Sequence, residues 1–543
     1  MDGQRCPEQT PQRGVPEVLL CGECTQVPGP KGRYALSLTA THLHLQWLEQ
    51  APESPGCLLS LADCIGCCAF KGRDPADPGG YFSVFWYPLK KKWWRSLEAR
   101  QREAKTFRLE TCRDPKENLK TAERWAEKIR ELSVQRIPKE EEGLYSCLPQ
   151  PRQLLVLVNP HGGKGEAQNL FYSQILPMLV EANIGFNLVV TDRQNQAREL
   201  MRDEDLSRWD AVVIVSGDGL VYEVVNGLME RPDWKSAIKK PVGILPGGSG
   251  NGLAAAINHY AGNDQVSNQE LLTNCTFFLC KGLVAPMDLV SFTTGSGKCI
   301  FSFLSFAWGF VSDVDIESEK YRMMGHTRFT VGTLVRLSSL RTYKGRLAYL
   351  RAEEASNQNT EIFPNPSSSS TATSHQNCQK LQPNFCNDTH QSLNANVVHQ
   401  ITSESSVDEI SNLIPLDQPV PNHWTVVKEE EFVLILAIYQ SHLGTSYFTA
   451  PMVSRPDDSL IHLFYVRSGI SRTALLKFFL AMEKGNHLEH SCPHLVYMPV
   501  KAFRLEPFTN KGIMTIDGEA LECGPIQGQL HSRLARIISG SKK

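Results

Sequence analysis

Short β-branched apolar runs alternate with helical patterns between residues 152 and 283, and three of those runs end on glycines. Leu154 to Val158 precedes Asn159-Pro160-His161-Gly162-Gly163-Lys164-Gly165, Ala211 to Val215 precedes Ser216-Gly217-Asp218-Gly219, and Val242 to Leu245 precedes Pro246-Gly247-Gly248-Ser249-Gly250-Asn251. An unbroken apolar run followed by glycines and a helical pattern predicts a buried parallel strand ending in a βα turn. The repeated alternation predicts a doubly wound α/β domain over 152–283.

The pattern changes on both sides of that stretch. Between Val18 and Arg136, strand-like segments at Tyr34 to Leu38, His42 to Leu48, Cys64 to Phe70, Tyr81 to Tyr87 and Thr106 to Thr111 precede a helix. That helix carries Leu119, Ala122, Trp125, Ile129 and Leu132 on one face. Antiparallel strands capped by one amphipathic helix predict a pleckstrin-homology-like module over 18–136. Beyond residue 283, strand-like patterns resume at Asp288 to Val311, Arg346 to Leu350, Glu431 to Tyr439, Ile461 to Val466, Leu495 to Val500 and Ala502 to Glu506. They predict a β-rich domain over 284–528, an antiparallel sandwich, followed by a C-terminal segment 529–543. Residues 352–422 are rich in Ser, Asn, Gln, Thr and Pro. Such a composition buries too little apolar surface to offset its ordering entropy, and a disordered insertion is expected there.

The 543 residues leave room for two or three domains, and 41% hydrophobic with 21% charged residues suits globular protein. A net charge of −2 offers no global attraction to nucleic acid or to anionic membranes, so any such partner must be met by a local patch, and no nucleic-acid partner is expected. Lys90-Lys91-Lys92-Trp93-Trp94-Arg95 is such a patch, suited to a peripheral membrane surface or to nuclear import. No apolar run reaches transmembrane length and the first residues carry no signal-peptide core, so an intracellular, cytoplasmic protein is expected. The sixteen cysteines are scattered. Cys21-x-x-Cys24 and Cys64-x-x-Cys67 have zinc-like spacing, but their apolar neighbours favour a core role.

The glycine turns point to phosphate. Glycine lets the backbone approach an anion, and the first N–H groups of the following helix lack internal partners. Gly162 to Gly165 is not a Walker A loop, so the weight rests on three turns converging on one sheet edge. Asp218, between two glycines at a strand end, is placed either to cap a helix or to accept a proton from an attacking hydroxyl. Phe329 to Arg346 is a basic amphipathic stretch of the kind that binds membranes, calmodulin or a neighbouring domain.

Longer strings carry a resemblance. Ser216-Gly217-Asp218-Gly219, the Pro-Gly-Gly-Ser-Gly-Asn turn, Tyr321-Arg322, Arg328-Phe329 and Asp517-Gly518-Glu519 resemble the diacylglycerol-kinase-like lipid kinase superfamily. Val225 to Trp234, Ala307-Trp308-Gly309-Phe310 and Asp313 to Arg322 are similar to the vertebrate sphingosine kinases within it. That resemblance implies ATP contacts from Asn159, Pro160, His161, Thr191, Asp192, Arg193, Gln194, Asn195, Glu223, Gly248, Ser249 and Gly250. His161 departs from the Arg or Phe expected there. It also implies phosphate contacts from Arg322 and Arg328, and closure of the nucleotide site by Asp517, Gly518 and Glu519, near Mg²⁺. Ser216 to Gly219, Phe310 and Asp315 would meet a sphingoid base, with Asp315 facing its amine and Asp218 acting as general base on the primary hydroxyl. The implied partners are that lipid, a membrane surface and calmodulin through 329–346. Two rivals stand beside this reading: a ceramide or diacylglycerol kinase on the same scaffold, and a catalytically silent membrane scaffold.

Overall fold

The computed structural model describes residues 17–29, 32–48, 56–91, 98–134, 145–324, 327–352, 413–490 and 492–540, without the side chains of 322, 323 and 327. Lys92 to Arg95 and most of the expected insertion, 353–412, lie outside the described residues.

Residues 17–134 form a seven-stranded sheet in the order Cys57–Ser60, His42–Trp47, Tyr34–Thr39, Val18–Val27, Glu103–Leu109, Gly80–Trp86, Cys64–Lys71. Neighbouring strands in it are antiparallel. Every strand foreseen from periodicity is present, and Val18–Val27 and Cys57–Ser60 join them. The helix Pro115–Ser133 starts on Asp114, whose side chain accepts from Lys116 N, and buries Ala122, Trp125, Ala126 and Ile129 against the sheet. Trp125 stacks on Phe82 at 5.9 Å. Cys24, Cys64 and Cys67 are buried in this core.

Four parallel strands follow in the order Gly185–Val190, Gln153–Val158, Ala211–Ser216, Val242–Pro246. Each central strand reads as continuous Val, Ile and Leu because helices cover both faces. The β-rich region does not form a sheet of its own. Its strands continue the parallel ones into a single sixteen-stranded sheet. The joint is Ile526–Ile538, parallel to Val242–Pro246 at Ile537 and antiparallel to Leu283–Thr294 over nearly its whole length. Residues 529–538, expected as a separate C-terminal segment, are therefore the seam between the two halves. The correction has a simple cause: Arg533 and Arg536 mask the apolar alternation of a strand that is half exposed in its middle.

The expected insertion also ends earlier than 422. Buried Arg504 donates to the carbonyls of Ile414 at 3.0 Å, Pro415 at 3.2 Å and Gln418 at 2.7 Å, which ties down 413–422. Backbone acceptors leave no trace in composition. Phe329 to Arg346, read as one amphipathic stretch, divides into the helix Thr327–Ser338 and the start of the strand Tyr343–Arg351. No helix among the described residues is long and apolar enough to cross a membrane.

Candidate active site

The three glycine turns meet at the carboxyl ends of adjacent parallel strands. Gly247 N donates to Ser216 O at 2.9 Å, and Asn251 braces its own turn through Gly248 N at 3.1 Å and Gly248 O at 2.9 Å. A Cβ at Gly248 would lie 2.4 Å from Gly217 Cα, so the second and third turns can touch as they do only with glycine at 248. In front of them opens a cavity of about 1100 Å³, closed on its far side by the β-rich half.

Asp218 begins the helix Asp218–Met229 and is buried at the cavity wall. Its Oδ2 accepts from Gly252 N at 2.7 Å and its Oδ1 from Leu253 N at 3.2 Å. Those amides open the helix Gly252–Tyr260, so the acid caps the neighbouring helix rather than its own. Burial raises its pKa, and the Gly252 and Leu253 amides, with that of Asp218 itself, pull it back. Two of about four lone-pair sites are taken, which leaves the carboxylate able to accept from a hydroxyl.

On the α/β wall, Asn159, His161, Thr191, Asp192, Arg193, Gln194, Ser216, Gly217, Gly219, Glu223, Gly248, Ser249 and Gly250 all line the cavity. Pro160 and Asn195 do not. Asn195 instead adopts a left-handed conformation, φ 63°, that starts the helix Gln196–Asp203. Glu223 caps the same helix through Ala197 N at 3.2 Å, and burial raises its pKa. Arg193 is engaged by Glu199 at 2.8 Å.

The opposite wall departs further from expectation. Asp517 lines the cavity, yet its Oδ1 accepts from Ser302 Oγ at 2.7 Å, Ser305 N at 2.9 Å and Leu304 N at 3.0 Å, and its Oδ2 from Phe303 N at 3.1 Å. Burial nonetheless pushes it up to about 7. Three of those donors fall on Oδ1 and one on Oδ2, so Asp517 holds the 302–305 loop while its carboxylate stands at the cavity wall. Gly518 and Glu519 face the cavity, and Glu519 Oε1 stands 2.9 Å from where a Cβ on Gly219 would be.

Asp315 and Arg328 both line the cavity, but they face each other. Arg328 Nη2 donates to Asp315 Oδ1 at 3.0 Å, while its Nη1 reaches Asp315 O at 3.1 Å, Ser318 Oγ at 3.3 Å and Glu319 at 3.5 Å. A guanidinium shut away from water takes the carboxylates within reach. Burial pushes Asp315 up to about 6, ahead of the opposing pull of Arg328. The side chain of Arg322 lies outside the described residues.

Phe310 stacks on Phe479 at 5.1 Å at the apolar end of the cavity, beside Val311, Val314 and Met482. Phe479 and Met482 belong to the helix Arg472–Glu483, and Leu443 to Tyr447 add a loop. Ser471 caps that helix through Ala474 N at 3.2 Å, and sequence reasoning did not bring it to the site, because nothing local marks which distant helix closes a cavity. The cavity thus joins a wall rich in glycine amides to an aromatic and aliphatic end, with carboxylates between.

Residues 153–291 match the diacylglycerol kinase catalytic domain. The chain is 51% identical to sphingosine kinase 1 of Homo sapiens over 73% of its own length and 94% of that protein. It is 40% identical to sphingosine kinase 2 of Homo sapiens over 96% of its length and 91% of that protein. Sphingosine kinase 1 of Arabidopsis thaliana is 33% identical over 69% of this chain and 70% of that one. Among solved structures, a diacylglycerol kinase from Bacillus anthracis str. Sterne aligns over 72% of this chain and 98% of that chain, at 16% identity and a TM-score of 0.41, too distant to carry weight. With half of its aligned residues shared with a relative that it covers almost end to end, the chain belongs to the sphingosine kinase family.

Proposed function

We propose that Asp218 takes the proton from the primary hydroxyl of sphingosine or dihydrosphingosine as that oxygen attacks the γ-phosphorus of ATP, in a protein that its family makes a sphingosine kinase. One observation carries the reading: a buried carboxylate, fixed by two amides but not saturated by them, stands where three glycine turns meet the cavity. Phosphoryl transfer asks mainly for positioning and charge stabilisation, and glycine-turn amides with helix N-termini supply both. The Asp218 pKa, raised by burial, makes it a better proton acceptor than an exposed carboxylate.

The lipid would run from Asp218 toward Phe310, Phe479 and Met482, with its amine at Asp315. A cationic amine can share that acid with Arg328 or displace it. Ceramide and diacylglycerol have no amine, so this buried acid favours a sphingoid base over both. Mg²⁺ neutralises nucleotide phosphates, and of the two acids in the 517–519 turn, Glu519 suits it better, since Asp517 already accepts four donors from the 302–305 loop.

In this reading residues 18–136 are a pleckstrin-homology-like module, and the protein works at a membrane surface. Exposed Leu334 and Val335 on the helix beside the cavity support that. Calmodulin finds less support. Arg328 and Arg336 on that helix are buried in ion pairs with Asp315 and Glu317, at 3.0 Å and 2.9 Å. The deciding experiment is thin-layer analysis of the lipid made from radiolabelled ATP and equal surface concentrations of sphingosine, ceramide and diacylglycerol. Label on sphingosine is expected; label on either of the others alone overturns the assignment.

A further inference from the structure

The N-terminal module is not tethered loosely to the catalytic half. Lys281, buried at the end of the helix Asn268–Lys281, donates to three of its backbone carbonyls: Cys64 O at 3.0 Å, Leu61 O at 3.2 Å, and Ser133 O at the end of the module's helix. Arg100 of the module lies over the Phe277 ring of the same catalytic helix at 3.5 Å. Ile65 and Tyr87, both in the module, are buried in the core of the α/β half.

A second grip falls on Glu181. Its buried carboxylate accepts from Tyr87 Oη at 2.8 Å and from Arg102 Nε at 2.6 Å, both donors from the module. Gly66 is pressed so closely on the backbone there that a Cβ would come within 1.9 Å of Glu181 O. Glu181 is the last residue of one continuous helix made of Ala167–Leu170, a π-helical stretch Phe171–Ile175, and Leu176–Glu181.

The other end of that helix is the first glycine turn. Only Glu166 separates Ala167 from Gly162 to Gly165, and the Ala167 Cβ lies 3.2 Å from where a Cβ on Gly247 would be, in the third turn. At about 1.5 Å per residue, the module's grip is about 22 Å from the phosphate-facing backbone. Phe171 is fully buried and meets Phe186 of the sheet at 5.5 Å, so the helix can transmit a displacement of its end as a strut does. Its π-helical stretch, a feature frequent at functional sites, is where its length and twist can adjust.

We infer that Glu181 is a positioning residue for nucleotide binding. Through Tyr87 and Arg102 the N-terminal module sets the helix 167–181, and with it the placement of the Gly162 to Gly165 turn against the other two. The inference rests on the reading that this turn holds ATP.

The test uses the full-length chain. Arg102 is half exposed, so Arg102→Ala should fold, and Tyr87→Phe removes only a hydroxyl. Together they should raise KM for ATP and weaken directly titrated ATP binding about three- to tenfold, while KM for sphingosine stays within about twofold, since small misplacements of a positioning group act locally. Adding Glu181→Gln should change little more, because all three substitutions break one contact. Arg102→Lys should restore part of the ATP affinity. A lower Tm with unchanged ATP affinity, or equal rises in both KM values, overturns the inference. Failure of the unaltered protein to bind ATP at all would overturn the proposed function instead.

Discussion

Asp218 and Asp517 face the same cavity from opposite halves of the molecule, and both are buried and held by backbone amides. They differ in how far they are held. Asp218 accepts two amide bonds, both from the start of one helix. Asp517 accepts four donors, three of them consecutive amides, and sits in the left-handed region at φ 51°. A carboxylate held by two amides can exchange a proton with a ligand, whereas one that gathers four donors serves chiefly to hold its loop. The α/β half therefore offers a reactive acid on a rigid glycine frame, and the β-rich half offers a loop organised around an acid.

The largest effect that can break this contrast is at Asp218. Asp218→Asn keeps the shape but cannot take a proton, and kcat should fall by about 10³-fold or more while ATP affinity stays within about twofold. In the unaltered enzyme, kcat should rise with pH through an ionisation above the ordinary carboxylate range, since burial raises this group and only its ionised form is a base. Turnover by the Asn variant at a tenth of the normal rate would sink the assignment.

Asp517 should behave in the opposite sense. Asp517→Ala leaves four inward donors without an acceptor and should lower stability by about 3 kcal/mol, read as a shift in denaturant midpoint. With a folded pKa of about 7 against 3.8 unfolded, the native state holds an extra proton between those values. That group's contribution to stability is therefore present below about pH 4 and is lost as pH rises through about 7. Asp517→Asn, which cannot ionise, should flatten that dependence. If Asp517→Asn instead matched Asp218→Asn, stable but inert, the two acids would not be distinct in role.

The same contrast explains what could be read before the structure was known. Local patterns suffice for the three turns, because each is a strand, glycines and a helix in one short stretch, and Asp218 and Ser249 within them line the cavity. Asp517-Gly518-Glu519 was equally visible as a string, but its meaning lies in Ser302 to Ser305, more than 200 positions away, and no local pattern records that partnership. Arg328 was marked as a phosphate contact by the resemblance alone, and no local pattern shows that Asp315 stands across from it. The seam strand Ile526–Ile538 was lost because its middle is polar, and the grip of the module on Glu181 because a glycine and a tyrosine give no sign of what they touch.

A third substitution sharpens the comparison at the boundary between the halves. Asp315→Asn removes the charge proposed to meet the lipid amine and should raise KM for sphingosine about tenfold or more, as expected for one charge-assisted contact. It should change KM for ATP far less. Loss of ATP affinity alone would mean that Asp315 acts through Arg328 on the nucleotide rather than on the lipid.

The smallest expected effect is at the apolar end, where the β-rich half contributes contact without charge. Phe479 stacks on Phe310 at 5.1 Å and is partly buried, so its ring both packs and lines the cavity. Phe479→Ala removes apolar surface along the proposed chain path, and at about 25 cal/mol per Å² a partial loss of that contact is about 1 kcal/mol. KM for sphingosine should rise about fivefold, with less effect on an analogue whose tail is too short to reach Phe310. Equal effects on long and short chains would show that Phe479 supports the wall without touching the lipid. Inhibition by the long chain alone, with KM unchanged, would place the tail elsewhere in the cavity.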